Sequence, residues 1–149
     1  MLTFTQITEQ DKDYFLKLNN EPDVLYNMES DREYKSEDFT AIINYPLVVW
    51  YIIKDGNKRV GLFTVYTKLG KLFFGIIIDK RYRGNGYGRK ALEKFLLMTD
   101  SANEEVNLCC FKDNERATKI YYSLGFEETG LKVIIRGREF VYMKRKIPS

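Results

Sequence analysis

The chain has 149 residues, of which 44% are hydrophobic and 30% are charged, and it contains no histidine. This length and composition predict a single globular domain over residues 1–149 with a sizeable core. The net charge of +3 is too small to indicate a nucleic-acid partner by itself. The absence of histidine excludes a Ser-His-Asp or Cys-His catalytic unit and a histidine-ligated zinc ion within this chain. Acid–base chemistry must therefore use tyrosine, cysteine, lysine or carboxylates.

The only two cysteines, Cys109 and Cys110, are adjacent in a strand-like run. They are not expected to pair with each other, and they form no metal-ligand pattern, which favours a reducing compartment. The start of the chain has no basic segment followed by an apolar stretch, and no segment is long enough to span a bilayer. We therefore expect a cytoplasmic protein with no metal ion and no membrane partner.

The first half of the chain predicts one strand, three helices and then three antiparallel strands. Thr8 is a candidate N-cap with Asp11 three residues later, and Pro22 suits the first turn of a second helix. Ser36 is expected to cap the third helix, which Pro46 stops. The predicted strands cover residues 2–6, 48–54, 59–66 and 71–79.

The second half alternates helices and strands. A helix with one apolar face follows residue 86, and a second helix runs from near Asn114 to Gly125. The apolar face contains Ala91, Leu92, Phe95 and Leu96, and the predicted strands cover residues 106–111, 126–135 and 139–147. Strand 71–79 joins strand 106–111 through a helix, so these two strands should be parallel. The order of elements predicts an α/β fold, with a mixed sheet that carries helices on its faces.

Three alternating glycines, Gly84, Gly86 and Gly88, separate strand 71–79 from the next helix. Glycine permits a tight turn and a close approach of the backbone to a ligand. The free N–H groups and the positive dipole end of the helix start form an anion site. Positive charge is added by Arg81, Arg83, Arg89 and Lys90, so the pattern favours a pyrophosphate over a neutral ligand. The alternative is an ordinary turn flanked by solvated arginines.

A second informative run begins at Asn114. Residues Ala117, Ile120, Tyr121 and Leu124 have helical spacing, which places Tyr121 on the inward face. On this spacing alone, a core tyrosine with a satisfied hydroxyl is the better interpretation, and Tyr122 points away toward the surface.

The run Arg83-Gly84-Asn85-Gly86-Tyr87-Gly88 resembles the acyl-CoA signature of the GNAT superfamily of N-acetyltransferases, Q/R-x-x-G-x-G/A. The run from Asn114 to Phe126 is similar to the next motif of that superfamily, N-x-x-A-x-x-x-Y-x-x-x-G-F. The two motifs and the order of elements imply a GNAT-type central mixed, mostly antiparallel sheet of about seven strands flanked by helices.

The resemblance implies transfer of acetyl from acetyl-CoA to a primary amine, on a small molecule or a protein N-terminus, by direct attack through a tetrahedral intermediate. Tyr121 would protonate the CoA thiolate as it leaves. Asn114 and the backbone of three strand residues would contact the pantetheine arm, and one strand N–H would stabilise the oxyanion. These strand residues are Ile76, Ile77 and Ile78. The N–H groups from Gly84 to Arg89 would hold the pyrophosphate beside Arg83, and they belong to Gly84, Asn85, Gly86, Tyr87, Gly88 and Arg89. Homodimers are common in such folds, and the sequence does not decide between a monomer and a homodimer.

This sequence departs from the superfamily pattern at the general base. Many relatives carry a glutamate on a central strand, but the matching positions here are Leu72 and Cys109. A water chain or an acid from the early helices, Glu29 or Glu33, would then accept the proton of the amine. The departure keeps open a non-catalytic acyl-CoA-binding sensor or interaction module.

Two further alternatives are weaker. Residues 86–91 fit the dinucleotide-binding pattern G-x-G-x-x-A, but three antiparallel strands precede them and residues 80–83 intervene. A nucleic-acid-binding domain is disfavoured because the basic residues are spread along the chain. The acceptor stays open among polyamine, aminoglycoside, small metabolite and protein N-terminus. Its site is expected to form from the helices before Pro46 and the last hairpin.

Overall fold

The apolar runs of the chain form seven strands and five helices in the computed structural model, which describes residues 1–147. The strands are β1 (Leu2–Gln6), β2 (Val48–Asp55), β3 (Lys58–Lys68), β4 (Lys71–Ile78), β5 (Val106–Phe111), β6 (Phe126–Ile135) and β7 (Arg138–Arg145). The helices are α1 (Lys12–Asn19), α2 (Pro22–Tyr26), α3 (Phe39–Ile43), α4 (Tyr87–Ser101) and α5 (Glu115–Ser123). The predicted fold class is confirmed. The predicted domain also includes residues 148 and 149, which lie outside the described residues.

The strands form a single sheet in the order β1-β2-β3-β4-β5-β7-β6. Among the described residues, only β4 and β5 are parallel neighbours, as predicted, and their pairing is limited to Phe73 with Asn107. Beyond that pair, β4 follows β3 as far as Ile78, whereas β5 follows β7 as far as Phe111. The two strands therefore diverge and leave a gap in the middle of the sheet.

Each face of the sheet has its own hydrophobic cluster. On one face α4 buries its predicted apolar residues, and Phe95 packs against Phe63 and Phe74. On the other face, Phe15 of α1 is fully buried against Phe39 of α3 and Trp50 of β2. The two clusters fix helices on both sides of the gap.

The helix starts agree only partly with prediction. Thr8 and Asp11 form the expected capping box, in which the Thr8 hydroxyl accepts from the Gln10 N–H at 3.3 Å. The predicted Ser36 cap is wrong. Ser36 lies within a short 3₁₀ turn, and no side chain caps that turn or α3. The five-residue α3 is held instead by burial of Phe39. None of the helices in residues 1–147 combines the length and the apolar character that crossing a membrane requires.

Candidate active site

A cavity of about 570 Å³ lies at the gap between β4 and β5 and is lined from both faces of the sheet. We call the part next to the glycine loop and α5 the loop end, lined by residues that include Ile76, Ile78, Gly84, Gly86, Tyr87, Gly88, Arg89, Asn114 and Tyr121. We call the part between α2 and the sheet the α2 end, lined by residues that include Asp23, Val24, Asn27, Met28, Trp50, Leu62 and Thr64. One space therefore connects residues that are far apart in the chain.

Residues 76–78 of β4 pair with β3 on one edge, and their other edge faces the cavity without a strand partner within residues 1–147. The Asp79 N–H donates to the Val60 carbonyl at 2.9 Å, in register with β3. Because backbone groups alternate between the two edges of an antiparallel strand, those of Ile77 face β3, whereas those of Ile76 and Ile78 face the gap. The Ile78 carbonyl accepts from Arg83 Nε at 3.0 Å. The remaining groups of Ile76 and Ile78 are placed to pair with an extended ligand, as in strand addition.

The glycine loop ends in an uncapped helix start. Gly84 and Gly86 have φ values of +82° and +77°, a conformation that side-chain-bearing residues rarely adopt. Gly86 is the N-cap of α4, and no side chain caps this helix. The N–H groups of Tyr87, Gly88 and Arg89 have no acceptor within the helix. A 15-residue helix that starts in this way favours an anion at its N-terminus.

The basic residues of the loop end are partly neutralised. Arg83 is bonded to Asp23 and lies 3.7 Å from Glu21, so it joins the loop end to α2. Arg89 donates to the Ser123 hydroxyl at 2.7 Å, which joins α4 to α5. Arg116 also lines the cavity. It was not predicted from the sequence, because its residue type does not distinguish it from other surface arginines.

Asn85 differs from the other predicted loop residues. Its side-chain amide donates to the Tyr82 carbonyl at 3.1 Å, so it folds back onto the loop and does not line the cavity. Every other predicted binding residue does line it. These residues are Ile76, Ile77, Ile78, Arg83, Gly84, Gly86, Tyr87, Gly88, Arg89 and Asn114.

Tyr121 lies on the inward face of α5 and lines the cavity. Its ring packs edge-on against Phe74 and Phe126, each with ring centres 6.0 Å apart. Burial raises the pKa of Tyr121 above its ordinary value, and the neighbouring Cys110 and Cys109 raise it further. The phenol therefore keeps its proton at neutral pH. Tyr122 is 47% exposed, as its position one residue further predicted.

Leu72 and Cys109, at the positions where many relatives carry a glutamate, have different environments. Leu72 packs against the hydrophobic cluster, whereas Cys109 lines the cavity with its sulfur 3.7 Å from the Tyr66 hydroxyl. Burial raises the pKa of the Cys109 thiol, so it is a neutral group.

Glu29 and Glu33 lie in different surroundings. Glu29 is 3.8 Å from Lys68. The Lys68 ammonium donates to the Tyr142 hydroxyl at 2.7 Å and lies near Cys109. Glu33 lines a separate recess with Ser30, Arg32, Tyr34, Lys35 and Asp38. Of the two, Glu29 is the one close enough to act on the cavity-lining Cys109, although it does not itself line the cavity.

The α2 end is held in place by an arginine of the last hairpin. The Arg138 guanidinium lies between the Tyr26 and Phe111 rings, 3.8 and 3.9 Å from their centres. It also donates to the Tyr26 carbonyl at 2.6 Å, to Asn27 at 2.9 Å and to Asp113 at 2.7 Å. This planar fork fixes α2 against β5 and β7. Sequence reasoning predicted that the early helices and the last hairpin build this region, but it did not identify these residues.

The comparisons agree with this architecture. A family model described as an acetyltransferase (GNAT) domain matches residues 1–127. The chain therefore belongs to the GNAT acetyltransferase family.

Individual relatives add to this assignment. Over 79 residues the chain is 34% identical to the L-amino acid N-acetyltransferase AaaT of Escherichia coli (strain K12), covering 48% of this chain and 49% of that protein. The matched region thus spans about half of that relative's length.

Two solved structures share the fold at low identity. The spermidine N-acetyltransferase from Vibrio cholerae, solved with CoA and spermine, has a TM-score of 0.83 at 20% identity and covers 96% of this chain and 94% of its own. AAC(6')-Ib, solved with ribostamycin and coenzyme A, has a TM-score of 0.77 at 19% identity and covers 97% of this chain and 93% of its own.

Proposed function

We propose that this protein is an N-acetyltransferase that transfers the acetyl group of acetyl-CoA to a primary amine. The observation that carries the proposal is the single cavity that joins an open strand edge, an uncapped helix start and a protonated tyrosine. We expect the strand edge to bind an amide-rich arm, the helix start to bind a pyrophosphate and the tyrosine to protonate a leaving thiolate.

The loop end fits an acyl-CoA by its chemistry. Ile76 and Ile78 present backbone groups to an extended chain with amides, as the pantetheine arm has. The N–H groups of Gly84 to Arg89 would hold the pyrophosphate, and the Asn114 side chain would reach the arm, since it makes no capping hydrogen bond in α5. Ile77 would contact the ligand only through its side chain, because its backbone groups face β3.

The reaction requires two proton movements. Tyr121 would donate its proton to the sulfur as the carbon–sulfur bond breaks, and the amine would lose a proton as its nitrogen bonds to the acetyl carbon. An N–H at the open edge of β4 would stabilise the negative charge on the acetyl oxygen. Glu29, directly or through water, is our candidate for the base that accepts the amine proton.

The names of the related proteins support an amine acceptor. AaaT is named for L-amino acids, the Vibrio cholerae enzyme is named for spermidine, and AAC(6')-Ib was solved with ribostamycin. A single domain over residues 1–149, a cytoplasmic location and a homodimer stay predictions.

The test is calorimetry with acetyl-CoA, followed by a thiol-release assay over a panel of primary amines. Saturable binding and thiol release with at least one amine are the expected results. Binding without release from any amine would favour the non-catalytic sensor. Saturable binding of NADH with none of acetyl-CoA would instead support the dinucleotide alternative.

A further inference from the structure

The α2 end of the cavity indicates which class of amine the site accepts. We propose, as a deepening of the proposed function, that the acceptor is a primary monoamine with an apolar body and not a polycation. The inference rests on the lining of the α2 end and on the ion pairs that surround it.

The walls of the α2 end are mostly apolar. They are formed by residues from α2, its following loop and the facing strands, namely Val24, Met28, Trp50, Leu62 and Ile77. Thr64 also lines this end, but its hydroxyl donates to the Val49 carbonyl at 3.1 Å. Asn27 lines it too, but its amide donates to the Asp23 carbonyl and accepts from Arg138. The Trp50 Nε1–H is buried without a hydrogen-bond partner among residues 1–147, and as a donor it cannot bind an ammonium group. An apolar acceptor body would therefore gain by leaving water.

The carboxylates next to this end each lie near a cationic side chain. Segment 21–31 carries four acids, and each lies within 4.0 Å of a basic side chain of the same chain. The pairs are Glu21 and Asp23 with Arg83, Glu29 with Lys68, and Asp31 with Arg136. Glu21 Oε2 is buried 3.7 Å from Arg83 without a hydrogen-bond partner among the described residues, but Glu21 does not line the cavity. Asp23 is the only acid among the residues that line the cavity in the described part of the chain.

This charge arrangement disfavours a second ammonium group. A polyamine must place its additional charges near unpaired carboxylates, or it loses their hydration without compensation. Here an additional cation would have to displace Arg83 or Lys68 from its acid, and it would meet their positive charge. A monoamine avoids this cost, because its one amino group loses its positive charge before the nitrogen attacks the acetyl carbon.

The experiment compares pentylamine with 1,5-diaminopentane, which have the same length and differ in the group at the far end. We expect a kcat/KM for pentylamine at least about 100-fold higher in the thiol-release assay. Trp50 supplies a second measurement, since it is the only tryptophan of the chain and lines the α2 end. Pentylamine should change its fluorescence with saturation in the absence of acetyl-CoA, and diaminopentane should not at the same concentrations.

A pair of variants tests the role of charge directly. Val24→Glu adds an unpaired carboxylate to the α2 end, and Val24→Gln adds the same shape without the charge. We expect Val24→Glu to shift the ratio of the two kcat/KM values toward diaminopentane by about tenfold relative to Val24→Gln. Leu97→Glu, on the exposed face of α4 where Leu97 is 72% exposed, should leave the ratio unchanged.

The outcomes separate this inference from the proposed function. Faster turnover of diaminopentane by the unmodified protein, or equal ratios for the two Val24 variants, would overturn the inference and leave the acetyltransferase intact. Thiol release from no amine at all would overturn the proposed function and this inference with it.

Discussion

The loop end and the α2 end of the cavity are built in different ways. The loop end comes from the continuous segment 76–89 and from α5 with its N-cap, and apart from Tyr121 and Asn114 it offers mainly backbone groups. The α2 end comes from side chains on separate elements, and its position depends on Arg138, which lies 112 residues after Tyr26. A site made of backbone groups requires glycines at fixed positions and so leaves a motif in the sequence. A site made of side chains that meet across the fold leaves none.

The largest expected effect concerns Tyr121, which we propose as the proton donor of the loop end. Tyr121→Phe should lower kcat by about 100-fold, since general-acid catalysis contributes factors of this size, and it should leave the acetyl-CoA Kd nearly unchanged. Because burial raises the pKa of Tyr121, kcat should not fall through ionisation of this tyrosine below a pH of about 10. Tyr122→Phe is the matched control and should keep full kcat. Equal activity of the two variants would make Tyr121 a packing residue only.

Asp79 connects the loop end to α1, and its loss should affect stability. Its buried carboxylate accepts from the Tyr14 hydroxyl at 3.2 Å and from Arg81 Nη2 at 2.8 Å. Asp79→Asn should lower the free energy of unfolding by about 2 kcal/mol at pH 7. The exposed Asp38→Asn should change it by less than about 0.5 kcal/mol.

The effect of Asp79 should depend on pH in a defined direction. Burial alone would raise the pKa of Asp79, but the hydrogen bonds from Arg81 outweigh it and hold the pKa below its ordinary value. The stability from Asp79 is therefore complete above the unfolded pKa of about 3.9 and is lost as the pH falls through the lower folded value. Urea unfolding at pH 7 and pH 3 should show the difference between the two proteins shrinking in acid. A constant difference would contradict this assignment.

A pair of glycine variants separates backbone strain from ligand binding at the loop end. Gly86 and Gly56 have φ values of +77° and +61°, and a Cβ at either would meet no atom within 4 Å. Substitution by alanine at either position should therefore lower the free energy of unfolding by about 1 kcal/mol. Only Gly86→Ala should also weaken acetyl-CoA binding, by about tenfold, because it disturbs the N–H groups of the helix start. Equal calorimetric affinities for the two variants would place the pyrophosphate elsewhere.

The smallest expected effect concerns the α2 end alone. Arg138→Lys keeps the charge but loses the planar fork between Tyr26 and Phe111. We expect the KM for the amine to rise about fivefold, while the acetyl-CoA Kd stays the same. A parallel loss of acetyl-CoA affinity would show that the two ends of the cavity do not act separately.

Three features could be predicted from the amino-acid sequence: the order of strands and helices, the parallel pair β4 and β5, and the glycine loop with its helix start. These features depend on local periodicity and on residues whose backbone preferences act within a few positions. The apolar spacing of α5 also placed Tyr121 inward, although spacing could not distinguish a core tyrosine from one that lines a cavity.

Three other features are visible only in the tertiary structure: the gap between β4 and β5, the environment of the acids near α2 and the contacts of Arg138. The pairing of Asp23, Glu29 and Asp31 with basic residues joins segments that lie 39 to 105 positions apart. Charge and residue type give each of these side chains many possible partners, and the packing of both faces of the sheet selects one. For this reason the proposed acetyl-CoA site could be predicted from the sequence, whereas the proposed amine site could be described only from the folded chain.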